Sequence, residues 1–186
     1  MTNYFLDLVK RRKTTFEFAP QSVPDAKIKL LLEAARWAPS CTNSQPWHFV
    51  VVKNKERIAQ LMKTANYGFF HEYPPLIIAC VLRNDQCAGP NFACYRDTDS
   101  NVHDTFMSVG IAAYNICLEA EDLGISSCLL TPEQEAVKKI LKIKKEDHVP
   151  LLVGVGYEKK GVFKRSRKRR DLKSMVSSEL FKVKSK

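Results

Sequence analysis

The chain has 186 residues, is 45% hydrophobic and carries a formal net charge of +10, which is enough for one well-buried core and reads as a single domain over residues 1–186. Its longest uninterrupted apolar run, residues 76–82, is far too short to cross a bilayer, and Lys10, Arg11, Arg12 and Lys13 precede any signal-like apolar stretch, so a cytoplasmic setting with no membrane partner is expected. The charge is concentrated in Lys159, Lys160, Lys164, Arg165, Arg167, Lys168, Arg169 and Arg170 of a basic C-terminal segment, residues 159–186. Nucleic acid, a membrane surface or a phosphorylated small ligand would each answer that charge, and so would plain solvation.

Tyr4, Leu6, Leu8 and Val9 predict an opening helix that leads into the basic cluster. Thr14, Thr15, Phe16 and Phe18 then change the pattern to an extended segment. Pro24 and Asp25 open a second helix with Ile28, Leu31, Leu32 and Ala35 at helical spacing, and Pro39 ends it. Residues 49–52 predict a short buried strand. Residues 55–65 predict a helix with Ile58, Leu61 and Met62 on one face. Residues 76–82 are apolar throughout, as in a central strand covered on both faces.

Residues 83–101 are polar, contain Gly89 and Pro90, and read as an excursion or lid. A helix over residues 103–123 follows, apolar nearly all round, which suits a large core or a subunit interface. Gly124 caps it, residues 127–130 make a short strand, Pro132 begins a helix through Leu141, and residues 149–155 form a last strand. The elements predict an α+β fold, a central mixed sheet sandwiched by helices, with no internal repeat.

Residues 39–49 place Ser40, Thr42, Asn43, Ser44 and Gln45 between two prolines, with Trp47 and Phe49 beside them. Such a turn offers donors, acceptors and aromatic surface to a flat polar ligand, although ordinary loops share this composition. The six cysteines, at 41, 80, 87, 94, 117 and 128, form no Cys-x-x-Cys pair and fit reduced thiols, most of them small apolar packers. Cys80, Cys87 and Cys94, followed by His103, match no common zinc pattern, and no metal is assigned.

The segment Arg12-Lys13-Thr14-Thr15-Phe16-Glu17-Phe18 and the later Ala34-Ala35-Arg36-Trp37-Ala38-Pro39-Ser40-Cys41-Thr42-Asn43-Ser44-Gln45-Pro46-Trp47 together resemble the FMN-dependent nitroreductase family. That pattern is a basic pair, Ser and an aromatic, then Ala-Pro-Ser, Asn and Gln-Pro-Trp. The resemblance extends to residues 110–124, to Gly154-Val155-Gly156 and to the basic segment before Leu172, nearly the whole chain. It implies a nitroreductase-like fold and an intertwined homodimer.

By resemblance, Arg12, Lys13 and Thr14 with Arg167 and Arg169 hold the flavin phosphate, which suits guanidinium and ammonium donors. Arg165, Lys168 or Arg170 are alternatives in the crowded tail, and Phe16 stands where the family often has a basic residue. Pro39, Ser40, Cys41, Asn43 and Gln45 are expected at the flavin of the other subunit. Cys128, Leu129, Leu130 and Thr131 align with a strand exit whose backbone meets the ring, with Leu129 and Leu130 against one ring face or simply in the core. His71 is a candidate at the pyrimidine edge, or a surface histidine.

No Ser-His-Asp set, paired catalytic carboxylates or phosphate-loop glycines occur, so no side chain is assigned a catalytic role. The resemblance implies an FMN oxidoreductase that takes reducing equivalents from NADH or NADPH and passes them, by a ping-pong cycle, to a small-molecule acceptor such as a nitroaromatic or quinone. The rival readings are a basic nucleic-acid-binding module and a flavin-binding redox sensor without turnover.

Overall fold

A computed structural model describes residues 3–65, 70, 72–86, 98–162 and 167–181. Its helices are α1 (Tyr4–Arg11), α2 (Asp25–Arg36), α3 (Lys55–Ala65), α4 (Thr98–Asp122) and α5 (Gln134–Leu141). Its strands are β1 (Trp47–Val52), β2 (Leu76–Leu82), β3 (Ser126–Leu130) and β4 (His148–Gly156). The strands form one four-stranded sheet in the order β1-β2-β4-β3.

Every strand pairing in that sheet is antiparallel, which corrects the expected mixed sheet. Parallel contacts are confined to isolated bridges, Thr14 to Ser127 and Glu17 to Glu72. With α3 between β1 and β2, strand direction depends on the end from which the chain re-enters the sheet.

Strand β2 is buried at all seven positions. Its side chains alternate between two cores, as the pleat requires. Leu76, Ile78, Cys80 and Leu82 join Ile28, Leu31, Val109, Ala113 and Ile116 of α2 and α4. Ile77 and Ala79 face Ile58, Leu61, Met62 and Val137 of α3 and α5. Between β2 and β4 the register shifts from Cys80↔Leu151 to Leu82↔His148. That bulge falls beside Pro150, which has no N–H to give a ladder, and it lets Val149 and Leu152 share one core despite their odd spacing.

Helix α4 begins at Thr98, five positions before the expected start at residue 103. It ends in a Schellman motif: Ile125 N–H donates to Ala120 O at 2.7 Å, Gly124 N–H to Glu121 O at 3.1 Å, and Gly124 has φ +66°. One face of α4, with Val109, Ala112, Ile116 and Ala120, is fully buried, whereas Met107 is 57% and Ile111 42% exposed on another. Strand β1 is longer than expected and only half-buried, because it lies at the sheet edge.

Gly156 ends β4 where Pro75 and Phe18 crowd the backbone; an added Cβ would lie 2.5 Å from Pro75 Cδ and 2.9 Å from Phe18 Cδ1. Gly156→Ala should therefore destabilise the fold by about 1–3 kcal/mol, read as a lowered denaturant midpoint with an unchanged slope.

Candidate functional site

Helix α1 is fixed at both ends. The Asn3 side chain accepts from Leu6 N–H, the Tyr4 hydroxyl donates to Asp122, and Arg11 lies 3.9 Å from Glu121. Arg12 closes the helix by donating its N–H to Leu8 O at 3.0 Å, and its ψ of 124° turns the chain into an extended run. Thr14 then bridges Ser127, and Thr15 N–H donates to Ser127 O at 3.1 Å. These bonds lay Arg12, Lys13 and Thr14 along the outer edge of β3.

The tail reaches the same corner. Arg167 Nη1 donates to Arg12 O at 2.5 Å and Nη2 to Lys10 O at 2.7 Å. Lys13 Nζ donates to Glu158 Oε2 at 2.5 Å, and the Thr15 hydroxyl reaches Glu158 Oε1 at 3.5 Å. Arg12 is half-buried and has no salt-bridge partner among the described residues. Its charge opposes the upward shift that burial imposes on the Cys117 thiol. Arg169 is exposed, and its Nη1 donates to its neighbour, Lys168 O, at 3.4 Å.

The β3 exit divides by the pleat. Cys128 and Leu130 are 1% and 6% exposed and belong to the α3–α5 core, whereas Leu129 is 40% exposed. Adjacent strand residues cannot present side chains to one ring face, so only Leu129 of that pair is available, and Thr131 is exposed beyond it. Because Ser127 O points outward to Thr15, alternation turns the Leu129 amide to the same edge.

The turn over residues 39–46 leaves α2 through a rigid surface cluster. The Glu33 carboxylate accepts from Arg36 at 2.5 and 2.9 Å and from Trp37 Nε1–H at 2.9 Å. Those hydrogen bonds, with Arg36 the stronger cause, hold the Glu33 carboxyl down at about 2. Beyond Pro39, Cys41–Asn43 forms a 3₁₀ turn in which Thr42 (φ 50°) and Asn43 (φ 56°) are left-handed, as is Gln45 (φ 49°) after it. Each such non-glycine residue costs about 1–2 kcal/mol.

The bonds that hold the turn run back to Ser40: Asn43 N–H donates to Ser40 O at 3.1 Å and Gln45 N–H to Ser40 Oγ at 2.9 Å. Asn43 Oδ1 accepts from Gln45 Nε2 at 3.3 Å. Pro46 is buried and its carbonyl accepts from Arg83 N–H at 2.9 Å. Pro39, Asn43 and Gln45 are exposed, and Ser40 and Cys41 are half-buried. Cys41 is disulfide-bonded, so the expected reduced thiol fails here; its place on a surface turn lets a second thiol reach it.

The expected site residues thus fall into two groups at diagonally opposite corners of the sheet. Trp47, where the turn enters β1, pairs with Leu82, while Ser127 pairs with Val155, which faces Leu76 at the other end of β2. Three strand spacings and the length of β2 put the corners roughly 25 Å apart along the diagonal. His71, Arg165, Cys87 and Cys94 lie outside the described residues, as does most of the 83–101 excursion. Glu158 and Thr15 were not foreseen at the cationic corner; Glu158 lies 145 residues from Lys13 and nothing local marks the pairing.

A separate open cleft of about 630 Å³ runs between α2 and the free edge of β1, lined by Ile28, Leu32, Trp47, Phe49 and Val51 among others. It lies away from the cationic corner. No helix among the described residues is long and apolar enough to cross a membrane. They also contain no cluster of three or more metal-ligating side chains.

Burial, more than the neighbouring Cys117, pushes the Cys128 thiol up to about 12. It should stay protonated and resist iodoacetamide at about pH 8 in the folded protein. Labelling mapped by mass spectrometry should appear at Cys128 only in denaturant.

The nitroreductase family model matches residues 9–157. A protein of Archaeoglobus fulgidus, provisionally named NADH dehydrogenase/NAD(P)H nitroreductase, is 31% identical over 159 residues, covering 83% of this chain and 85% of its own. A Streptococcus pyogenes protein, provisionally named NAD(P)H nitroreductase, is 28% identical over 180 residues, covering 82% and 89%. Among solved structures, a nitroreductase family protein of Streptococcus pneumoniae superposes with a TM-score of 0.80 at 25% identity, over 94% of this chain and 100% of that one. A provisionally named nitroreductase of Desulfovibrio desulfuricans, crystallised with FMN, superposes at 0.79 with 22% identity, over 97% and 99%. The motifs, the helix-covered sheet and these matches agree, and the chain belongs to the nitroreductase family.

Proposed function

We propose that the chain is a single-domain, FMN-dependent oxidoreductase that works as an intertwined homodimer, taking electrons from NADH or NADPH and delivering them to a small oxidised acceptor such as a nitroaromatic or quinone. The observation that carries this reading is the cationic corner: Arg12, half-buried and without an ion-pair partner among the described residues, stands beside Thr14 and the outward edge of β3. That donor set fits FMN. Arg12 and the Thr14 hydroxyl suit its phosphate, and the Leu129 amide suits a ring nitrogen; Arg169 lies two residues beyond the tail's contact at Arg167. The relatives named NAD(P)H nitroreductase and the neighbour crystallised with FMN support the same assignment.

The bound flavin would supply the redox chemistry, accepting two electrons from the nicotinamide donor and passing them to the acceptor. The protein's own residues bind and orient it. Arg12 and Thr14 fix the phosphate end, Leu129 presents an apolar side chain and an amide, and the turn with Pro39, Ser40, Cys41, Asn43 and Gln45 covers the ribityl chain and ring. One chain cannot do all of this across roughly 25 Å of sheet, so the turn serves the flavin held by a second copy.

The surfaces suit that assembly. Tyr4, Phe5, Met107 and Ile111 leave apolar area on α1 and α4, and the tail exposes Leu172, Val176, Leu180 and Phe181, the last at 89%. Exposed apolar patches of this kind mark interfaces, and the apolar cleft beside β1, which pairs only with β2 among the described residues, is a matching seat for a partner's tail.

Purified protein should be yellow and should bleach when NADH or NADPH is added without oxygen; colourless protein that cannot be reconstituted with FMN would refute the reading. Arg12→Ala should weaken FMN binding about 10–100-fold, the worth of a charge-assisted phosphate contact. Asn43→Ala should also lower FMN content without unfolding the chain. Because the two residues serve one site from different chains, mixing the two variants should restore tight binding at about a quarter of all sites under random exchange. No restoration would place both residues in one chain's site.

A further inference from the structure

We infer that Arg167 is a positioning residue that caps α1 and holds the Arg12–Thr14 turn in its binding conformation, with the phosphate itself left to Arg12; this rests on the FMN reading above. The last carbonyls of a helix lack intrahelical partners and carry the negative end of its dipole. Arg12, Lys13 and Thr14 follow directly on the C-terminal end of α1, so a phosphate placed there would face carbonyl oxygens as well as cations. Arg167 removes part of that conflict. Its two terminal nitrogens donate to Arg12 O at 2.5 Å and Lys10 O at 2.7 Å, across 155 and 157 residues of sequence.

A guanidinium fork can span two carbonyls at once and a single ammonium does so poorly. Both bonded oxygens belong to backbone that leads into the turn, so the clamp sets where the Arg12 side chain and the Thr14 hydroxyl point. Another cation of the corner, Lys13, is likewise engaged, on Glu158 at 2.5 Å. Arg12 remains as the half-buried cation with no salt-bridge partner among the described residues. The corner therefore divides its labour, with one arginine facing the ligand and another fixing the backbone.

The test uses full-length wild type, Arg167→Ala and Arg167→Lys, with amide exchange measured on cofactor-free protein and FMN and riboflavin titrated separately. The amides to follow are Arg12, bonded to Leu8 O, and Thr15, bonded to Ser127 O. Both variants should exchange these amides about tenfold faster and bind FMN about tenfold more weakly, with riboflavin affinity, which reports no phosphate contact, changed far less. Unchanged exchange with weakened FMN binding would make Arg167 a direct phosphate ligand and overturn the inference. Full recovery by Arg167→Lys would show that charge, not the fork, matters, and would also overturn it. Faster exchange with unchanged FMN affinity would reduce Arg167 to a stability cap. A wild-type chain that binds no FMN would instead fail the earlier reading, and the exchange data would still decide whether Arg167 holds the turn.

Discussion

The structure depends on one strand that has nowhere to meet water. All seven residues of β2 are buried, flanked by β1 and β4 along its edges and by a separate apolar core on each face. Burying each large apolar side chain contributes about 1.5–3 kcal/mol, and any register slip by one residue would exchange the two cores wholesale. Helices α2 and α4 on one face and α3 and α5 on the other follow from that requirement. So does the placing of the candidate site: with β2 and β4 inside, β1 and β3 become the edges, and each edge carries one half of the candidate residues.

The formal charge of +10 overstates how much positive surface is free. Several cations are turned inward to satisfy carbonyls. Lys27 donates to Leu123 O at 2.8 Å at the end of α4, and Lys138, only 9% exposed, donates to Lys145 O at 2.8 Å. Arg167 does the same at the end of α1. Helix C-termini favour cations, and this chain meets that preference with residues distant in sequence.

At the other corner the constraint is conformational. Thr42, Asn43 and Gln45 adopt left-handed backbone without being glycine, and Thr42 is β-branched, the least suited type. Ser40, buried Pro46 and the Glu33–Arg36–Trp37 cluster hold the segment from both sides. Strain of this kind persists where the surroundings over-determine it, and it clusters at binding sites.

Much of the architecture was legible along the chain. The period of Ile58, Leu61 and Met62 marked α3, the unbroken apolar run marked β2, and Gly124 marked the end of α4, because these signals are local and repeat at the spacing of the element that carries them. The family followed from Ala38-Pro39-Ser40 and Gln45-Pro46-Trp47 for the same reason, since a turn's chemistry is written in contiguous residues. Strand direction was not legible, because helix α3 alone does not say from which end the chain re-enters the sheet. Nor was the division of the corner, where Arg167 finds Lys10 and Arg12, and Lys13 finds Glu158, across some 145 residues or more. The sequence by itself determined which segments are helix, strand and turn; only the tertiary structure decided which cations are consumed by the fold, because that depends on carbonyls and carboxylates brought near through space.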